Sequence, residues 1–205
     1  MDIEKLTGKI MELGQLSLFF ARTNRITFHE DGTTPESDTD HTVMLGLCAC
    51  AIASSYAPHL DLGKIAQFAL IHDLVEAYAG DTPTLSISDE GMRKKAEIEH
   101  EAFLRIKSEF GEVFPWIHST IHEYESLTTE EAKFIKTLDK CMPKITHALN
   151  GGIALKPTFE TKQKAERYFE EQNIKIKNSY GSNQKLLIDL HAQLGKETLR
   201  NTYEN

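Results

Sequence analysis

Apolar residues recur at intervals of three and four along most of the chain, the period of a helix with one buried face. Ile3, Leu6, Ile10, Leu13, Leu16, Phe19 and Phe20 trace such a stripe through residues 3–22. A second helix is expected from an N-cap at Asp38 to Asp40, running to Tyr56 and stopping before Pro58. A third covers residues 62–79, with Gly80 as its stop. The period persists, with more charge, over residues 89–110, whose mixed charges read as a solvated face, and again after Phe114-Pro115-Trp116. Thr128 and Glu131 offer a capping box before Ala132, Phe134, Ile135 and Leu138, and Pro143 should bend or end that helix. Asn150-Gly151-Gly152 is the clearest break, and residues 161–179 and 183–201 read as two charged amphipathic helices beyond it.

No stretch alternates apolar and polar residues convincingly, so the chain reads as all-α. Residues 23–39, rich in Thr, Asp, Gly and Pro, read as a long loop, a length usually kept for function. At 205 residues the chain can bury a substantial core, and it is taken as one domain over 1–205, with a core of about 13–150 and a C-terminal helical extension over 151–205.

Charge narrows the partners. A formal net charge of −8 argues against binding a nucleic-acid polymer or an anionic membrane, both of which want a basic face, but leaves room for a local phosphate site. Cys48, Cys50 and Cys141 lack the spacing of a disulfide framework or zinc ribbon, which fits a reducing cytoplasm. The N-terminus has no signal-peptide pattern and no apolar run approaches a membrane span.

Three polar residues interrupt the apolar run 69–81: His72, Asp73 and Glu76. An imidazole and two carboxylates on a hydrophobic helix are costly unless something neutralises them, and a divalent cation does so most directly. The bland alternative puts them on a solvated helix edge. His41, in the first turn of the second helix, where the helix dipole favours a neutral ligand, and Asp139, in apolar company among Leu138, Cys141 and Met142, are the other ligand candidates. Two His and two Asp from three helices can share one cation and leave coordination positions open. Arg25 and Arg22 are the cations nearest to His41 in sequence, and a guanidinium suits phosphate because its planar fork donates two parallel hydrogen bonds. His118 and His122, four apart, could bind a second metal.

The order His41, His72-Asp73, Asp139 resembles that of the HD-domain metal-dependent phosphohydrolases. Glu36-Ser37-Asp38-Thr39-Asp40-His41, the block His72-Asp73-x-x-Glu76-x-x-x-Gly80-Asp81, and Glu123-Tyr124-Glu125 with Glu131-Ala132-Lys133-Phe134 and Leu138-Asp139-Lys140 are similar to the branch containing the 5′-deoxynucleotidases. The resemblance implies an HD-domain helical bundle with additional C-terminal helices and one divalent metal ion (Mn, Co, Fe, Ni or Zn) on His41, His72, Asp73 and Asp139. Glu76 would then be the acid/base residue, Asp81 a second carboxylate at the site, and Arg25, with Arg22 as competitor, the phosphate-binding cation. It also implies a homodimer acting on a small nucleotide. The chain departs from that branch at Ile26, where the family carries Trp, which leaves the sugar preference open. Hydrolysis of another phosphate ester or of a pyrophosphate linkage is the nearest rival, and a non-catalytic metal- or nucleotide-binding regulator is the rival of another class; the presence of Glu76 favours turnover.

Overall fold

A computed structural model describes residues 2–83, 87–180 and 184–204. The described elements are α1 (Ile3–Phe20), β1 (Asn24–Phe28), β2 (Pro35–Ser37), α2 (Asp38–Tyr56), α3 (Leu62–Ile71), α4 (Glu76–Ala79), α5 (Asp89–Phe110), α6 (Pro115–Ser126), α7 (Glu130–Asp139), α8 (Met142–Leu149), α9 (Leu155–Phe159), α10 (Lys162–Tyr180) and α11 (Lys185–Tyr203). Thr84, expected in the turn after Asp81, and Asn183, expected to start the last helix, lie outside the described residues.

The helical reading holds, and the stripes meet where the period places them. Leu16 of α1, Leu45 and Ala49 of α2, Ile65, Phe68 and Ile71 of α3, Ile106 and Phe110 of α5, Ile117 and Ile121 of α6, and Ile135 and Leu138 of α7 form one buried cluster. Leu187 of α11 joins this same cluster, while Leu155, Phe159, Ala165, Phe169 and Leu199 make a smaller one among α9, α10 and α11. Asn150-Gly151-Gly152 does end α8: both glycines have positive φ, near 70°, and a Cβ on Gly152 would collide with Thr202 of α11.

The sequence reading needs five corrections. Residues 23–39 are not simply a loop, because β1 and β2 pair as an antiparallel hairpin with an irregular register. Its strands are too short to show alternation, and a buried side-chain contact fastens them, the Thr27 hydroxyl donating to the Glu36 carboxylate. The N-cap of α2 is Ser37, one residue earlier than expected, in a capping box with Asp40. The expected helix over residues 62–79 is two helices, with α3 closing at His72 and a turn running to α4. Apolar periodicity runs straight through that turn, so it cannot reveal the break. The N-cap of α7 is Thr129, whose hydroxyl accepts from the Ala132 amide, and not Thr128 with Glu131. The fifth is the short α9, whose five residues are too few to show a period.

Candidate metal centre

The turn after α3 decides the site. With helix propagation ended at His72, the ring of His72 and the carboxylate of Asp73 need not lie 100° apart on a cylinder. His72 Nδ1 lies 2.8 Å from the Ala69 carbonyl, which can only accept, so Nδ1 donates there and Nε2 is the nitrogen turned to the site. That Nε2 is 3.1 Å from Asp73 Oδ2 and 3.9 Å from Asp139 Oδ1, yet it is buried without a hydrogen-bond partner.

His41 arrives from the first turn of α2, fixed by the capping box. Its Nε2 lies 2.9 Å from Asp139 Oδ1, and its Nδ1 lies 3.3 Å from Glu36 Oε1. One donor atom from each of His41, His72, Asp73 and Asp139 can be chosen so that all four lie within 4.8 Å of one another, the only such metal-suited group among the described residues. Asp139 closes the group from the last residue of α7, its Oδ2 accepting from Lys140 Nζ at 2.7 Å.

Two imidazoles facing two carboxylates make a donor set that a divalent cation satisfies, and the unpartnered Nε2 of His72 is the atom that fits it most directly. Carboxylates and carbonyls behind the ligands match the usual support of such sites: Glu36 behind His41, and the Ala69 carbonyl behind His72. Without a cation, protons take up part of the role. Burial opposes charge on His41, but the hydrogen bonds its ring donates to Asp139 and Glu36 outweigh it and raise its pKa to about 9. Burial likewise opposes charge on Asp139, and Lys140, His41 and His72 hold it well below the usual carboxylate range.

Arg25 of β1 lies against this group with its side chain 15% exposed, Nη1 3.2 Å from both Asp38 Oδ1 and Asp73 Oδ2. Burial works against its charge, and Asp73, Asp139, Asp81 and Asp38 more than restore it. Arg22 is exposed at the end of α1, so of the two arginines it is Arg25 that reaches the cluster. Glu76, at the start of α4, is buried; its Oε1 lies 2.9 Å from Lys95 Nζ and its Oε2 has no partner. Burial first, then the charges of Asp73 and Asp38, push its pKa to about 9 against the pull of Lys95. Asp81 is half-buried just past Gly80, its pKa raised by burial, with Arg25 and Lys95 opposing. His118 and His122 are not drawn into any metal-suited group among the described residues; His122 is exposed.

In the sequence Asp38 stands out only as an N-cap candidate and a member of the Glu36–His41 block, and Lys95 not at all. Asp38 is fully buried against Arg25, and burial raises its pKa to about 6. Lys95 lay on a helix read as a solvated face, yet its side chain is 14% exposed. The one local signal was its spacing to Glu99, an i, i+4 pair at 2.7 Å.

Residues 21–189 match a family model described as HD domain. The chain is 32% identical over 142 residues to the 5′-deoxynucleotidase HDDC2 of Dictyostelium discoideum, an alignment covering 62% of this chain and 73% of that protein. It is 31% identical over 115 residues to the 5′-deoxynucleotidase hdd1 of Schizosaccharomyces pombe, covering 52% of this chain and 54% of that one. Against several curated relatives, including the bovine and human HDDC2 proteins, the chain spans about half their length. Among solved structures it resembles a predicted metal-dependent phosphohydrolase from Magnetospirillum magnetotacticum MS-1, with a TM-score of 0.73, 25% identity and 97% of each chain covered.

Proposed function

The chain belongs to the HD-domain family, and from that premise we propose that it is a metal-dependent 5′-nucleotidase hydrolysing (deoxy)nucleoside 5′-monophosphates to nucleoside and phosphate. The observation that carries the reading is the convergence of His41, His72, Asp73 and Asp139 beside a buried guanidinium and a buried, half-partnered carboxyl. The relatives' names support the nucleotide as substrate.

In this reading the four residues hold one divalent cation. Mn²⁺, Fe²⁺, Co²⁺, Ni²⁺ and Zn²⁺ all suit two imidazoles and two carboxylates. When bound, the cation neutralises phosphate charge and acidifies water. The chain supplies the rest. Arg25 keeps Nη1 on Asp38 and Asp73, which leaves Nε and Nη2 outside those ion pairs to donate to non-bridging phosphate oxygens. With the charge of a bound cation offsetting the carboxylates that raise its pKa, Glu76 would be ionised, would take the proton of the attacking water at Oε2 as the new P–O bond forms, and would return it to the departing 5′ oxygen as the ester bond breaks. Asp81 is a second carboxylate beside Arg25 and Lys95. The reading also takes residues 1–205 as one domain and the protein as a cytoplasmic homodimer that engages neither a nucleic-acid polymer nor a membrane. Exposed Val43 and Leu47 on α2 and Leu70 on α3 support self-association, and three free cysteines fit a reducing compartment. No helix among the described residues is long and apolar enough to cross a membrane.

The test is phosphate release from a panel of ribo- and deoxyribonucleoside monophosphates, with metal-stripped protein given Mn²⁺, Co²⁺ or Zn²⁺, beside Glu76→Ala. Metal-dependent release that falls at least 100-fold in the variant, with metal still bound, is the expected result. No release from any nucleotide by metal-loaded protein would overturn it and turn the search to other phosphate esters or to a regulatory role.

A further inference from the structure

We propose that Lys95 is a positioning residue for the hydrolytic step: by holding Oε1 of Glu76 it leaves Oε2 as the one oxygen of that carboxyl free to exchange a proton. The inference rests on the nucleotidase reading for the meaning of Glu76, but its geometry stands apart from it.

Glu76 needs an anchor from outside its own element. α4 is a single turn of four residues, begun at Val75 with no side-chain cap and ended at Gly80 with φ of 74°. A helix this short gives its first side chain little rigidity, because isolated turns are not stable by themselves. The anchor comes from α5. Lys95 Nζ lies 2.9 Å from Glu76 Oε1 and 2.7 Å from Glu99 Oε1, one turn further along the same helix. Glu99 thereby holds the ammonium in place from one side while Glu76 is held from the other. A second fastening lies further along α5: the Tyr78 hydroxyl donates to Glu109 Oε2 at 2.5 Å, and Arg105, bonded to Glu109 at 2.8 Å, stacks 3.7 Å from the centre of the Tyr78 ring. α5 thus fixes the α4 turn at both Glu76 and Tyr78.

The two oxygens of Glu76 are consequently unequal. Oε1 is committed to an ammonium, whereas Oε2 is buried without a partner. An acid/base carboxyl must present one oxygen at hydrogen-bond reach of the reacting proton in a fixed orientation, and misplacement by about 1 Å can cost 100-fold in rate. Removing Lys95 takes away the contact that fixes Oε1, so the carboxyl is free to swing out of place.

The experiment compares wild type, Lys95→Met and Lys95→Arg for metal content, melting temperature, kcat and KM on a deoxynucleoside monophosphate, together with Mn²⁺-loaded crystal structures of wild type and Lys95→Met. Lys95→Met should keep one metal per chain and hold KM within threefold while kcat falls roughly 10- to 100-fold; Lys95→Arg should recover part of kcat, and the Glu76 side chain should leave its place in the methionine variant. Raised KM and weakened inhibition by inorganic phosphate at unchanged kcat would overturn the proposal, making Lys95 a substrate contact. A Glu76 carboxyl that stays in place in Lys95→Met would also overturn it. Should Lys95→Met unfold, Glu99→Gln carries the test, with a two- to fivefold loss of kcat in support and unchanged kcat against. If wild type releases no phosphate, the nucleotidase reading fails, while the position of Glu76 in the two crystal structures still decides the anchor.

Discussion

His72 and His191 are both buried imidazoles with a fixed tautomer, and what their second nitrogen meets sets them apart. In each ring Nδ1 donates to a neutral oxygen, the Ala69 carbonyl for His72 and Asn173 Oδ1 for His191. Nε2 of His191 then accepts from Lys144 Nζ at 2.7 Å, closing a chain that joins α8, α10 and α11. Nε2 of His72 faces the carboxylates of Asp73 and Asp139 and has no hydrogen-bond partner. Buried polar groups are paired in nearly all native structures, so a ring nitrogen left unpartnered among carboxylates marks a place made for a cation, and a closed chain marks a structural tie. The nearby cations divide in the same way. Arg25 is surrounded by carboxylates that hold its charge, whereas Lys144 meets none among the described residues, and burial lowers its pKa to about 8.

The sharpest way to break the comparison is to remove each ring. His72→Ala should abolish stoichiometric metal binding and with it activity, while the metal-free protein still folds. His191→Ala should leave metal content unchanged and lower stability by roughly 2–4 kcal/mol, the cost of a cavity plus an orphaned ammonium. Metal analysis and thermal melts of the two variants decide it; metal retained in His72→Ala would erase the distinction.

Removing the two cations is the next test, and a smaller one. Arg25→Ala leaves Asp38 and Asp73 uncompensated and takes away the candidate phosphate donor, so activity should fall roughly 10- to 100-fold. Lys144→Met, which keeps length and apolar bulk, should change activity less than twofold, and so should Arg22→Ala on the exposed end of α1. Steady-state kinetics of the three variants checks this. A large loss in Lys144→Met would show that the closed chain communicates with the metal group.

How much of this contrast is legible in the sequence follows from the range of the interactions. The helices are legible because each stripe faces a core; His72, Asp73 and Asp139 stand out because charge in an apolar run is conspicuous wherever its partner lies, and His41 stands out only through its first-turn position and its Glu36–His41 block. The break at His72 is not legible, since Leu70, Ile71, Leu74 and Val75 keep an apolar run going through it. Lys144 and His191 look like ordinary polar residues of amphipathic helices, and only the docking of α11 on α8 makes them a buried pair. Lys95 escaped notice for the same reason: its partner Glu76 lies on another element.

The smallest effect, and the one that tests the sign of the contrast, is the pH dependence of stability. Lys144 holds its proton to about pH 10.5 when unfolded and only to about 8 when folded, because burial disfavours the ammonium. Between those values the unfolded chain binds more protons, so this residue's contribution to stability rises with pH from 8 to 10.5. His41 in the metal-free protein runs the other way: its folded pKa is raised to about 9, so its stabilisation is complete below 6.5 and fades as pH climbs through 9. Bound metal removes that opposing slope by displacing the proton from His41. Melting temperatures of metal-loaded wild type and Lys144→Met, measured from pH 7 to 10, should therefore diverge in favour of wild type above pH 8, by roughly 2–6 °C. A gap that stays flat would mean that the charge on Lys144 is compensated in the folded state, and the two clusters would then differ in composition but not in kind.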